Sequence, residues 1–154
     1  MKNLVVFVCI FLFFGCDQKT PKFILRPDKA KAYSHDNISY YTEVVIIANP
    51  PSNTSDLINL ISRYNERTVS KFDIEQHYDV YIRDFYKESA DTPVDFQDDD
   101  GFSPNLLGDH VNDFICSLKM KSCGIGKKQI HEWSLSSGFD YVTFDPIFYG
   151  QRCN

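Results

Sequence analysis

Hydrophobic and polar positions change their period several times along this chain. Leu4 to Phe14 is an unbroken run of eleven apolar residues. Tyr40 to Ala48 is β-branched and aromatic and ends at Asn49-Pro50-Pro51, which predicts a buried strand with a hard stop, because proline cannot donate to a ladder and disfavours helix in the residue before it. Ser52, Asn53 and Thr54 are candidate N-caps for a following helix. Leu57, Leu60, Ile61 and Tyr64 recur at helical spacing, with Asn59, Ser62, Arg63 and Glu66 on the opposite face, so one amphipathic helix is expected to pack on a sheet.

His77 to Lys87 fits two periods. Tyr78, Val80 and Ile82 alternate, Ile74, Tyr78, Tyr81 and Phe85 suit a helix, and the density of Tyr, Val and Ile favours strand. Phe114, Cys116, Leu118 and Met120 alternate as a further strand, Gln129 to Ser136 forms another, Ser136-Ser137-Gly138 turns the chain, and Tyr141 to Phe148 is strand again. These last three read as an antiparallel meander. The expected fold is therefore α+β: one amphipathic helix packed on a mainly antiparallel sheet with a C-terminal meander.

The N-terminal run stands apart from this pattern. Lys2 gives a positive start, and Asp17, Gln18 and Lys19 follow the apolar stretch at once. That is the layout of a secretory signal, and it falls short of the roughly 20 apolar residues a spanning helix needs. Phe13-Phe14-Gly15-Cys16 resembles the lipobox of bacterial lipoproteins. In that class the cysteine thiol receives a diacylglycerol, cleavage falls just before it, and the new amino group is usually acylated. The resemblance implies residues 1–15 as signal peptide, Cys16 as the lipid attachment site, and an exported protein held on a bacterial membrane, at the periplasmic face or the cell surface. Two or three acyl chains, at about 0.8 kcal/mol per buried CH₂, suffice for stable anchoring. Residues 16–31, rich in Lys with two prolines, read as a tether, and 32–154 as a single globular domain.

Composition narrows the partners. The formal net charge is -5, and no Lys/Arg cluster matches a phosphate backbone, so nucleic acid is not an expected partner. The longest connection, Glu88 to Asp113, is acidic: Asp91, Asp95, Asp98, Asp99, Asp100, Asp109 and Asp113 lie within it. Asp98, Asp100 and Gly101 suggest a calcium loop, but with Gly101 as the sixth position Phe96 and Leu107 fall where an EF-hand needs acids, so a solvated acidic loop is expected. Asp109, His110 and Asp113 form a possible polar site, a histidine oriented by carboxylates. His35, His77 and His131 do not stand at ligand spacing, so no metal or cofactor is expected. Gly-x-Ser-x-Gly is missing from the sequence, and Gly124-Ile125-Gly126-Lys127-Lys128 lacks the spacing of a phosphate loop and reads as a hairpin turn.

With Cys9 removed in the signal and Cys16 lipidated, Cys116, Cys123 and Cys153 remain. Cys123 and Cys153, at one edge of the meander, are the disulfide candidates, provided the C-terminal tail folds inward; two strands apart they would stand about 9.6 Å from each other, against a limit of about 7 Å. Two reduced, buried thiols are the alternative. The function expected is a membrane-anchored envelope module that binds another protein, analogous in build to immunity proteins that neutralise a toxin. An envelope hydrolase using the Asp109/His110 region is the alternative.

Overall fold

The computed structural model describes residues 19–95, 110–124, 129–137 and 142–153. Six strands form one sheet in chain order: β1 (Lys22–His35), β2 (Ile38–Ala48), β3 (Val80–Lys87), β4 (Phe114–Cys123), β5 (Ile130–Ser137) and β6 (Ile147–Tyr149). Two helices, α1 (Thr54–Thr68) and α2 (Lys71–His77), lie between β2 and β3. Cys16, Asp109 and the Asp98–Gly101 stretch lie outside the described residues.

This corrects the expected fold in two respects. There are two helices among the described residues instead of one. The sheet is mixed: β2 and β3 run parallel at its centre, while the other neighbouring pairs are antiparallel. The physical reason is the crossover. Parallel neighbours cannot be joined by a tight turn, and α1 with α2 supplies the long return that brings the chain back to the same end of the sheet.

Residues 22–31 are strand and not tether, since they form the first part of β1. β1 is an edge strand, and its register with β2 shifts between Arg26 and Lys31, where Pro27 sits. An edge and a bulge are the places where a strand tolerates proline. Asp36 and Asn37, both at positive φ, make the two-residue turn into β2, a conformation that Asn and Asp accept more readily than other non-glycine residues.

Alternation sorts β2 between two cores. Val45 and Ile47 face the helices and join Leu57 and Ile61 of α1, Tyr81 and Phe85 of β3, Leu118 and Met120 of β4, and Trp133 and Leu135 of β5. Val44 and Ile46 face the other way, against Tyr86 and Phe114, with Ile24 and Val94 packed alongside. The second half of β2 is thus covered on both sides, which is why Val44–Ala48 is continuously apolar and not alternating. Asn53 caps α1 by accepting the Asp56 amide at 3.1 Å, and Ser70 caps α2 through the Asp73 amide. Trp133 ties α2 to the sheet by donating its indole N–H to Glu75 at 2.6 Å.

β4, β5 and β6 follow one another antiparallel, but β6 is only three residues long, and 142–146 is irregular where strand was expected. After β6, Gly150 takes φ 89°, a left-handed conformation suited to glycine, and the chain turns back over β5. Cys153 then forms a disulfide with Cys123, Cα–Cα 5.9 Å. Its amide donates to Glu132 at 2.8 Å, and Glu132 also pairs with Lys121 at 3.0 Å. Lys121 foremost, and the Cys153 amide after it, hold the Glu132 carboxyl below the usual range. Cys116 remains a thiol, buried in the helix-side core, where desolvation, with the Asp84 charge adding to it, pushes its ionisation far up.

Candidate functional site

The acidic connection leaves β3 at Lys87 and re-enters at a single 3-10 turn, Val111–Asp113, before β4. Its two described ends are held together by four side chains. Asp113, nearly buried, accepts from the Ser89 hydroxyl and from the Thr92 hydroxyl, the latter at 2.9 Å. Ser89 in turn accepts the amides of Asp91 and Thr92 at 3.1 and 3.0 Å. Thr92 has no exposed surface, and its oxygen lies 2.9 Å from His110 Nδ1. A hydroxyl has one proton, and here it goes to Asp113, so His110 Nδ1–H is the donor to Thr92.

Of the sequence-predicted polar site, the structure therefore places His110 and Asp113 in one network, linked through Thr92. The sequence pattern gave no reason to include Ser89 and Thr92, eighteen to twenty-four residues away from their partners. Chemically this is a clasp. The Asp113 carboxylate is occupied by two hydroxyls, and Thr92 is too deeply buried to act as a nucleophile. Among the described residues no group of three or more His, Cys, Asp or Glu side chains stands together as a metal site.

A second polar cluster lies on the helix side of the sheet. Glu43 on β2 and Arg83 on β3 are register partners and pair at 2.6 Å, with Arg83 Nε donating to the same oxygen at 2.8 Å. Tyr81 also donates to Glu43, and desolvation raises the Tyr81 ionisation out of any physiological range. Arg83 Nη1 reaches up to α1, donating to Thr68 Oγ1 at 2.7 Å and to Asn65 Oδ1 at 3.2 Å, while Tyr64 stacks its ring 5.6 Å from the guanidinium. Paired and hydrogen-bonded in this way, a buried charge can be carried inside a fold.

Beside this cluster α1, α2, β4 and β6 enclose a cavity of about 280 Å³. Its floor is Leu118 and Val69, and its walls carry Ser62, Asn65 and Glu66 from one face of α1. Lys71 closes one side, its ammonium 5.3 Å from the Trp133 ring and 5.4 Å from that of Tyr149. Ser62 Oγ and Tyr149 Oη lie 3.1 Å apart. Asn65 is 7% exposed, and its Nδ2 has no hydrogen-bond partner.

No described helix is long and apolar enough to cross a membrane. No protein-family model matches the chain, and neither a curated protein nor a solved structure does.

Proposed function

We propose that the protein is an exported, lipid-anchored module that binds another protein of the envelope through its acidic β3–β4 connection, in the manner of an immunity protein blocking a basic toxin surface. The observation that carries this reading is the clasp. Ser89, Thr92, His110 and Asp113 pin the points where the connection leaves and rejoins the sheet, and a scaffold that fixes both ends of a loop is how folds present binding segments. Asp113 is held in the clasp, and the connection also carries Asp91, Asp98, Asp99, Asp100 and Asp109 as acidic residues to complement a basic partner. The Cys123–Cys153 disulfide supports export, because such bonds persist in oxidising compartments.

Cross-linking in intact envelopes tests this with wild type and the Asp98→Asn, Asp99→Asn, Asp100→Asn triple variant. Capture of one partner by wild type, weakened at high salt and lost in the triple variant, is the expected result. Equal capture by both overturns the role of the connection. The histidine held by Thr92 is the feature that favours the other reading, a hydrolase centred on Asp109 and His110. Under it, His110→Ala abolishes function while the triple variant keeps it.

A further inference from the structure

Strand register lays out the sheet face that looks away from α1 and α2. Val45 and Ile47 of β2 face the helices, so Tyr40, Thr42, Val44 and Ile46 face the other way, and their register partners on the neighbouring strands do the same. Toward the clasp this face is closed, because Val44, Ile46, Tyr86 and Phe114 are buried together. Toward the other end, where β3 begins, it is open. Tyr33, Tyr40 and Val80 stand in one row and Thr42 and Ile82 in the next, and all but Thr42 keep part of their surface exposed. Tyr33, Tyr40, Val80 and Ile82 join neither buried cluster. Parallel strands are normally covered on both faces, yet this half of the β2–β3 pair has its helices on one face alone.

The borders of the strip are cationic. Lys31 on β1 and Lys119 on β4 share the row of Thr42 and Ile82, and both are exposed. Lys121, two residues along β4 on the same face, is paired with Glu132, and the Asp84 carboxylate, one row on, accepts from Ser117. Lys31 and Lys119 therefore set the sign of the borders. With strands about 4.8 Å apart, three strand steps separate these two lysines by about 14 Å. An α-helix with its side chains is about 10–12 Å across, so one helix fits between them over Tyr40, Val80 and Ile82.

We infer that this strip is a docking site for an amphipathic helix of a partner protein, with an apolar stripe on Tyr40, Val80 and Ile82 and acidic flanks against Lys31 and Lys119. Such a helix gives the parallel pair the second covering layer it lacks. Charge complementarity fixes the partner's sign, since a basic helix meets like charge at both borders. The strip lies at the far end of the strands from the clasp, so its occupation is independent of the acidic connection.

The probe is a synthetic helical peptide of about five turns, with leucines along one face and glutamates flanking them; a second peptide has lysines in place of the glutamates. Binding to the full chain purified in detergent is read by anisotropy of the labelled peptide, with detergent alone as background. The glutamate-flanked helix should bind with Kd between about 10 μM and 1 mM, more weakly as salt rises, and the lysine-flanked one at least about tenfold more weakly. Ile82→Thr keeps a β-branched residue in the strand while removing apolar contact, and should cost about tenfold in affinity. Lys31→Glu with Lys119→Glu, both on exposed residues, should reverse the preference between the two peptides, which a loss of folding would not do. No binding of the glutamate-flanked helix at about 1 mM, equal binding of the two peptides, or an unchanged preference in the double variant overturns the inference. So does tighter binding in the Asp98→Asn, Asp99→Asn, Asp100→Asn variant, which would make the chain's own connection the occupant, or a dimer broken by Ile82→Thr, which would make it a second copy.

Discussion

Glu43 and Arg83 face each other directly across the parallel β2–β3 pair and close a buried ion pair of 2.6 Å beneath α1. Their side chains are 7% and 4% exposed, so neither charge can turn to water when its partner is removed. Arg83 also holds Asn65 and Thr68, and through them the last turns of α1 are fixed to the centre of the sheet.

Glu43→Gln should therefore destabilise the fold by about 3–5 kcal/mol, because it leaves a buried guanidinium uncompensated. Replacing both partners, Glu43→Gln with Arg83→Met, should restore much of that loss, since the stranded charge goes with its partner. Urea unfolding of the two singles and the double, read as a cycle, measures the coupling. Additive losses would mean that Glu43 and Arg83 contribute to stability independently of each other.

How much of this was written plainly in the chain depends on the element. β2 was legible because Asn49-Pro50-Pro51 stops it, and α1 because Asn53 caps an amphipathic repeat whose inward face is Leu57, Ile61 and Asn65. β1 was not, since an edge strand exposes residues on both faces and its bulge accepts Pro27, so Lys22–His35 carries the composition of a linker. α2 was hidden for a different reason: seven residues, none of them fully buried and with Phe72 69% exposed, show no period. Missing α2 is tied to missing the parallel pair, because the crossover is what separates β2 from β3 in sequence while leaving them adjacent in space. The site followed the same logic. His110 and Asp113 stood close enough in sequence to be noticed, whereas Thr92, which joins them, and the Glu43–Arg83–Asn65 cluster are assembled only by the sheet and α1.

The Cys123–Cys153 bond closes a loop with a sequence separation of 30. By chain entropy such a closure contributes about 3–4 kcal/mol, so the Cys123→Ser, Cys153→Ser double variant should unfold at markedly lower temperature than wild type. Scanning calorimetry with and without reductant checks it: wild type should fall toward the variant when reduced, and the variant should not respond.

Asp84 lies on the sheet face opposite the helices, where Ser117 donates to it. Desolvation raises its folded pKa, against the opposing effects of Ser117 and Lys119. A carboxyl whose folded pKa is raised disfavours the folded state once it ionises, and that penalty disappears as pH falls through the folded pKa toward the unfolded value near about 3.9. Asp84→Asn should therefore be more stable than wild type at neutral pH, with the advantage shrinking on acidification. Denaturant midpoints between about pH 7 and pH 4 measure it, and a variant weaker than wild type at pH 7 would show that the ionised form is the one the fold favours.

The proposed membrane anchorage depends on Cys16. Cells fed labelled palmitate, expressing either wild type or Cys16→Ala, give the most direct test. Label on the wild-type chain and none on the variant is the result predicted for a lipid-anchored exported module; equal labelling of the two chains, or none on either, would contradict it.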